Sequence, residues 1–256
     1  MPKFAANLTM MFNDVPFLHR FEAAASCGFS AVEYLFPYEH PPEVIADQLL
    51  HSHLSQALFN MPPGDWHLGE RGLAALPERK RDFRDSLDKA LSYAQVIGSP
   101  LLHMMAGIAP SNDRSAIDTY RENLKLAAER TGEYGIGLTI EPINGRDMPG
   151  YFLQNFEQAA EFIEAVGAAH VKLQFDIYHR QILHGDVIMG LRQYAHLIGH
   201  IQIASVPDRN EPFTGELNDR LILEEIDAIG YKGYVGCEYR PCRGTQEGLT
   251  WLTELP

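Results

Sequence analysis

The sequence predicts a single (β/α)₈ barrel. Its length of 256 residues matches the usual size of one such barrel. Short apolar runs alternate with longer amphipathic segments, which indicates βα units around a parallel sheet. Eight such units can be counted, and that number favours a closed barrel over an open, doubly wound sheet. We therefore expect one catalytic domain over residues 1–256.

The predicted elements follow this alternation along the whole chain. Strands are predicted over residues 3–9, 31–35, 55–60, 101–106, 137–143, 171–177, 200–206 and 234–239. Helices are predicted over residues 16–27, 42–53, 78–97, 115–134, 156–166, 187–197 and 219–229. Glycines that follow helical patterns and precede strands are predicted to be C-caps, namely Gly28, Gly98, Gly135, Gly167, Gly199 and Gly230. Two long segments rich in glycine and proline, 61–79 and 144–152, are expected to form loops at the catalytic face.

Composition restricts the class of protein. A formal net charge of −13 argues against a nucleic-acid-binding surface, which requires clustered basic residues. Three cysteines, Cys27, Cys237 and Cys242, are too few for a disulfide framework and fit a reducing compartment. The N-terminus does not have the pattern of a secretory signal, and the apolar runs are shorter than the roughly 20 residues of a membrane span. We expect a cytoplasmic protein with neither a nucleic acid nor a membrane as partner.

Four polar residues interrupt apolar strands near their carboxyl ends, where the active site of a barrel lies. They are Glu141 in LTIEPI, Asp176 in KLQFDIYH, Gln202 in HIQIAS and Glu238 in VGCEY. A buried carboxylate is strongly disfavoured unless it is paired or coordinates a metal. Strand alternation directs these side chains toward the barrel axis, and their hard oxygen atoms suit Mg²⁺ or Mn²⁺. Any one of the acids could instead be a structural ion-pair partner, but the joint pattern favours a metal site.

Two residues just beyond these strands are candidates for substrate binding. His179 follows Asp176 by three positions and could polarise a substrate oxygen, unless it is an exposed residue at a helix start. Arg209 offers a planar fork that matches a carboxylate, unless it forms a surface pair with Asp208 or Glu211. Since the chain is acidic, a small anionic substrate would require such local positive charge.

Several weaker candidates complete the set. Asn7, Asn60 and His103 lie in predicted strands, where they could line the pocket or be satisfied interior groups. Glu216 in TGELND could bond Arg209 or cap the next helix. We include Asn7 and Glu216 among the residues expected to bind substrate.

Long motifs spread along almost the whole chain resemble the hydroxypyruvate isomerase family, within the wider xylose-isomerase-like barrel superfamily. The resemblance depends on FAANLTMMF (4–12), PPGDWHLGERG (62–72), IEPIN (140–144), QFDIYH (174–179), GHIQIASVPDRNEP (199–212) and GCEYRP (236–241). A sister group, the 2-oxo-tetronate isomerases, shares almost all of these motifs. Both groups interconvert a 2-oxo-3-hydroxy acid and a 2-hydroxy-3-oxo acid.

The resemblance implies roles for individual residues. Glu141 and Glu238 correspond to the proton donor and acceptor, and His179 and Arg209 to the residues that hold the substrate. Related ketose 3-epimerases bind metal through a Glu, Asp, His and Glu set, and Gln202 stands where that set has its histidine.

The expected reaction is the isomerisation of a small hydroxy-oxo acid, foremost hydroxypyruvate to tartronate semialdehyde, through a metal-stabilised cis-enediolate. The alternatives are a 2-oxo-tetronate isomerase, a ketose 3-epimerase and a non-catalytic sugar-acid binding protein. An endonuclease of the same superfamily would need more histidine ligands and a basic face, and the charge counts against it. A homo-oligomer is possible.

Overall fold

Eight parallel strands close into a barrel in sequence order, which confirms the predicted fold. The structure, a computed structural model, describes residues 2–253. Each strand pairs with the next, and the last pairs with the first. The strands are β1 (Lys3–Asn7), β2 (Ala31–Tyr34), β3 (Ser55–Asn60), β4 (Leu101–His103), β5 (Gly137–Ile140), β6 (Val171–Asp176), β7 (Ile198–Ile203) and β8 (Tyr234–Cys237).

Helices surround the barrel and connect its strands. They are α1 (Arg20–Ser26), α2 (Pro42–His51), α3 (Lys80–Ile97), α4 (Arg114–Glu133), α5 (Phe156–Val166), α6 (Ile177–Leu183), α7 (Val187–Tyr194), α8 (Asp219–Ala228), α9 (Thr245–Gly248) and α10 (Thr250–Thr253). Short 3₁₀ turns at Phe17–His19 and Pro77–Arg79 precede α1 and α3. The sequence did not predict α6, α9 or α10.

The predicted glycine C-caps are confirmed at five of the six positions. Gly28, Gly98, Gly135, Gly167 and Gly230 have φ values of 87°, 73°, 67°, 67° and 77°, the left-handed region that favours glycine. The prediction for Gly199 was wrong, because β7 begins at Ile198 and includes this residue. A side chain there would overlap Lys172 on β6, so glycine is required by close strand packing.

Apolar side chains on the outer face of the strands pack against the amphipathic helices. In α5 the residues Phe156, Ala159, Phe162 and Ile163 are buried, the spacing of one helix face. The ring of Phe156 meets that of Phe175 on β6 with centroids 5.2 Å apart. Burial of each large apolar side chain stabilises the fold by roughly 1.5–3 kcal/mol.

The inside of the barrel changes from apolar to polar toward the carboxyl ends of the strands. Ala5, Ala31 and Ala57 form a small apolar cluster. Two positions further along β2 lies Glu33, which is fully buried. Its Oε1 accepts hydrogen bonds from Asn7 Nδ2 at 2.9 Å and Gln202 Nε2 at 2.8 Å.

This polar layer continues across the barrel as a chain of hydrogen bonds. Glu33 Oε2 lies 2.6 Å from His200 Nε2. The Gln202 amide oxygen accepts from Gln174 Nε2 at 2.7 Å, and Gln174 Oε1 accepts from the Thr139 hydroxyl at 3.0 Å. We call these six residues, Asn7, Glu33, Thr139, Gln174, His200 and Gln202, the interior network. It connects β1, β2, β5, β6 and β7, so it fixes their side chains relative to one another.

Gly236 on β8 makes room for this network, since a Cβ at that position would overlap the Glu33 carboxylate. Thr139, Gln174 and Gly236 are each followed two positions later by an acid: Glu141, Asp176 and Glu238. Side chains two positions apart on a strand share a face. Thr139 and Gln174 of the interior network therefore lie one inward-facing position before Glu141 and Asp176, and Gly236 occupies that position before Glu238.

Replacing Glu33 by alanine should lower the free energy of unfolding by at least about 3 kcal/mol, because three buried donors lose their acceptor. Glu33→Gln keeps the shape and one acceptor oxygen, so it should cost clearly less. Urea denaturation of both variants measures the difference. Equal stability of the alanine variant and the wild type would contradict this role.

Candidate active site

Three of the side chains converge at the carboxyl ends of β5 and β6. One ligand atom each from Glu141, Asp176 and His179 lies within 4.8 Å of the others, and all three residues are buried. Glu141 directly follows β5, Asp176 ends β6, and His179 lies in the first turn of α6. The Asp176 carboxylate also accepts the Tyr178 N–H at 2.7 Å, so it caps the helix that carries His179.

Arg209 joins this cluster to Glu238. Its Nη2 donates to Glu238 Oε2 at 2.6 Å and to Asp176 Oδ2 at 3.3 Å. Arg209 is only 7% exposed, so it is not a surface partner of Asp208 or Glu211. Its loop is fixed to the segment after β8, where the Arg240 N–H donates to the Arg209 carbonyl at 2.8 Å.

Asp147 in the loop after β5 and Tyr178 in α6 hold the Arg209 side chain in place. The Nη1 atom donates to Asp147 Oδ2 at 3.3 Å, and the guanidinium carbon lies 4.8 Å from the centroid of the Tyr178 ring. The Tyr178 hydroxyl donates to the other oxygen of Asp147 at 3.3 Å. The planar guanidinium is thus oriented from three sides before any substrate binds.

The ring of His179 has a defined orientation. Its Nδ1 accepts the backbone N–H of Asn144 at 3.3 Å. The ring proton of the neutral imidazole is therefore on Nε2, which lies 3.6 Å from Asp176 Oδ2. Burial, together with the charge of Arg209, keeps the pKa of His179 well below its ordinary value. In this tautomer Nε2 is a hydrogen-bond donor and not a metal ligand.

Burial raises the pKa of all three acids of the site. Burial raises the pKa of Glu141 well above its usual range, and the charges of Glu238 and Asp176 raise it further. Burial raises the pKa of Glu238 to about 8, although Arg209 acts in the opposite direction. Burial also raises the pKa of Asp176. Carboxylates that are buried together with one guanidinium form a site where an additional cation would be stabilised.

The other predicted site residues lie outside this cluster. Gln202 and Asn7 belong to the interior network, where both amide atoms of Gln202 are bonded by Gln174 and Glu33. Asn7 bonds Glu33 and accepts the Thr9 N–H at 3.1 Å. Glu216 is exposed and accepts from Gln181 Nε2 at 3.2 Å. It neither bonds Arg209 nor caps α8, whose N-cap is Asn218.

His103 lies beside the cluster at the end of β4. Its Nε2 is 3.7 Å from Glu141 Oε2, and the residue is 1% exposed. Burial lowers the pKa of His103 to about 3, with a smaller contribution from His200, so the ring is neutral.

Sequence reasoning did not identify several residues that shape the site. Asn144 and Asp147 lie in the long loop after β5, and loop length alone pointed to it. Glu33 is an acid within the apolar run SAVEYLF, the same pattern that identified Glu141. It lies in the amino-terminal half of the chain, whereas the predicted acids lie in the carboxyl-terminal half. No pattern in the sequence identified Tyr178 as a site residue, apart from its position in the motif QFDIYH.

A closed parallel barrel with buried acids at its carboxyl ends has the architecture of a barrel enzyme. The chain belongs to the family described as xylose isomerase-like TIM barrel, whose model matches residues 21–255. A 2-oxo-tetronate isomerase from Cupriavidus necator is 54% identical over 254 residues, 98% of each chain. A hydroxypyruvate isomerase from Escherichia coli is 42% identical over 254 residues, again 98% of each chain. These relatives confirm the prediction of an isomerase.

A solved structure shows the same fold in detail. The structure described as an AP endonuclease, family 2, from Brucella melitensis superposes with a TM-score of 0.97 at 46% identity and covers 99% of both chains. Between residues 2 and 253, none of the helices is long and apolar enough to cross a membrane.

Asp219, at the start of α8, anchors the loop that carries Arg209. Its Oδ2 accepts the Phe213 N–H at 2.6 Å, and its Oδ1 has no hydrogen-bond partner within the described residues. Burial raises the pKa of Asp219 from 3.8 to about 6. The folded state therefore favours the protonated form, and ionisation between pH 4 and pH 6 destabilises it.

We expect Asp219→Asn to become more stable relative to the wild type as the pH rises from 4.5 to 7.5, by about 2 kcal/mol. Urea denaturation at several pH values measures this difference. Asp118→Asn, at an exposed carboxylate on α4, is the control. A difference that does not change with pH would contradict the prediction.

Proposed function

We propose that this protein interconverts a small 2-oxo-3-hydroxy acid and a 2-hydroxy-3-oxo acid by proton transfer. The observation that carries the proposal is the position of Glu141 and Glu238. Both are buried at the mouth of the barrel, and the charge of Glu238 raises the pKa of Glu141. Two carboxyl groups in one site can serve as base and acid, since one can take a proton from carbon while the other returns one.

The substrate has two candidate chain lengths. The 54% identity to a 2-oxo-tetronate isomerase favours the four-carbon acid. Hydroxypyruvate, the three-carbon acid expected from the sequence, is supported by the 42% identity to a hydroxypyruvate isomerase. The two acids share the reacting atoms, so one set of residues serves both.

The side chains fit a divalent metal such as Mg²⁺ or Mn²⁺. Glu141 and Asp176 offer hard oxygen donors within 4.8 Å of each other, and Arg209 joins the Glu238 carboxylate to that of Asp176. Glu141 Oε1 has no hydrogen-bond partner within the described part of the chain. These three carboxylates would hold the ion. When bound, a divalent metal supplies Lewis-acid stabilisation of negative charge on a substrate oxygen.

The protein's own residues bind the substrate and move its protons. Arg209 binds the substrate carboxylate, because its guanidinium is oriented and buried among the acids. One glutamate removes the proton from C3 and the other delivers a proton to C2, while the hydroxyl proton passes from the oxygen on C3 to the oxygen on C2. C3 thereby becomes the carbonyl carbon and C2 the alcohol carbon. His179 donates its Nε2–H to a substrate oxygen, and its Asn144 contact fixes the direction of that donor.

Other functions have less support. A ketose 3-epimerase would act on a neutral sugar and would not need Arg209. An endonuclease, the activity named for the Brucella melitensis relative, requires a basic DNA-binding face, whereas this chain has a net charge of −13.

The free thiols of Cys27, Cys237 and Cys242 support the proposal of a cytoplasmic protein. The homo-oligomer stays a prediction.

Binding of Mn²⁺ should raise the melting temperature, since a ligand at 100 times its Kd stabilises the folded state by about 2.7 kcal/mol. Asp176→Asn should remove most of this shift, whereas the exposed Glu122→Gln should retain it. Thermal unfolding of the three proteins with Mn²⁺ and with chelator measures the effect. The same shift in the Asp176 variant would contradict the metal site.

Glu141→Gln and Glu238→Gln should each lower kcat by at least about 10²-fold, because the amide cannot exchange a proton with carbon. The assay is NMR of hydroxypyruvate, 2-oxo-tetronate and a ketohexose with purified enzyme and Mn²⁺. Glu122→Gln is again the matched control.

Each outcome of this assay has a distinct meaning. Turnover of one or both acids supports the proposed function and selects the chain length. Turnover of the ketohexose alone would assign an epimerase, and no turnover at all would leave a binding protein. Substantial activity in both glutamine variants would contradict the two-base scheme.

A further inference from the structure

Two polar atoms of the His103 ring have no hydrogen-bond partner among residues 2–253. Among the buried side chains of residues 2–253, it is the one with two unpartnered atoms, Nδ1 and Nε2. A buried polar group without a hydrogen bond destabilises a protein by about 1–3 kcal/mol. Native structures contain few such groups, so each one requires an explanation.

Strand pairing on both sides fixes the backbone of His103. His103 is the last residue of β4 and pairs with Asn60 on β3 and Thr139 on β5. Its carbonyl accepts the Met61 N–H at 2.9 Å. The side chain approaches the site, where Nε2 lies 3.7 Å from Glu141 Oε2. The second oxygen of Glu141, Oε1, is itself unpartnered within the described residues.

The three unpartnered atoms of His103 and Glu141 therefore lie in adjacent side chains at the mouth of the barrel. A neutral imidazole provides one N–H donor and one acceptor, and a carboxylate provides only acceptors. A ligand that satisfies both side chains must carry hydroxyl or carbonyl oxygens. The chemistry of a hydroxy-oxo acid matches this requirement.

We propose that His103 is a further catalytic residue, which donates a hydrogen bond to the substrate oxygen attached to the carbon where Glu141 exchanges its proton. This inference rests on the proposed function. The imidazole itself takes up and releases no proton in this role. It stabilises the negative charge that develops on that oxygen when the C–H bond breaks, from the side of the barrel opposite Arg209 and Glu238.

Among the residues described, Arg209 bonds Glu238 after β8 and Asp176 at the end of β6, and His179 accepts from Asn144 after β5. His103 extends the site to β4. This addition explains why a polar residue without a partner is retained in the interior, since preorganised donors at an active site are left free for the substrate.

The test replaces His103 by leucine, which fills a similar volume and cannot form hydrogen bonds. We expect kcat for the better acid substrate to fall by about 10²-fold with a smaller change in KM, because the bond strengthens in the transition state. The melting temperature should not fall, since the variant removes an unsatisfied polar group. His103→Gln should recover part of the activity.

Two controls separate this role from others. Tyr120→Phe removes another buried and unpartnered polar atom, located on α4, and should leave kcat unchanged. Calorimetric titration with Mn²⁺ should give the same affinity for His103→Leu as for the wild type. A tenfold or greater loss of metal affinity would make His103 a metal ligand and would overturn the proposal.

Activity of His103→Leu within about twofold of the wild type would likewise overturn it. The wild-type assay separates the proposed function from the role of His103, because inactivity of the wild type on both acids would contradict the proposed function itself. In that case calorimetric binding of hydroxypyruvate decides: weaker binding to His103→Leu supports the contact, and equal binding contradicts it.

Discussion

The candidate active site depends on the ion pair between Arg209 and the carboxylates of Glu238 and Asp176, at 2.6 and 3.3 Å. A buried charge is tolerated only when it is paired and hydrogen-bonded. One guanidinium allows several acids to lie together in the interior. The cation–π contact with Tyr178 and the bond to Asp147 hold that guanidinium where both carboxylates meet. Without it, the site would contain only mutually repelling acids.

The interior network fixes the strands that carry part of the site relative to one another. Glu33 accepts three hydrogen bonds inside the barrel, and Gly236 is small because this carboxylate occupies the adjacent space. Thr139 and Gln174 of the network and the acids Glu141 and Asp176 lie on successive inward-facing positions of β5 and β6 and their continuations. Stability and chemistry are thus arranged in layers along the barrel axis. Gln202, predicted among the metal ligands from its position in an apolar strand, bonds Gln174 and Glu33 within the interior network in this structure.

Much of this arrangement follows from local sequence signals. The alternation of apolar runs and amphipathic segments predicts the barrel, and acids inside apolar runs identify Glu141, Asp176 and Glu238. Contacts between distant segments cannot be read in the same way. Arg209 bonds Asp147, 62 residues away, and His200 bonds Glu33, 167 residues away. Such pairs depend on strand register and loop course, which residue types do not specify. The unpartnered state of His103 is likewise a property of the folded molecule.

The central claim is that two glutamates exchange protons with the substrate carbons, and the isotope content of the first product formed in D₂O tests it most directly. The wild-type enzyme would convert an ordinary, protiated acid, and NMR would follow the hydrogen newly bonded to C2 before appreciable back-reaction. Exchange by two glutamates predicts deuterium at C2, because the delivering glutamate exchanges its proton with solvent. Retention of the substrate's own hydrogen at C2 would indicate either a hydride shift between the carbons or proton transfer by one shielded base, and both contradict exchange by two glutamates.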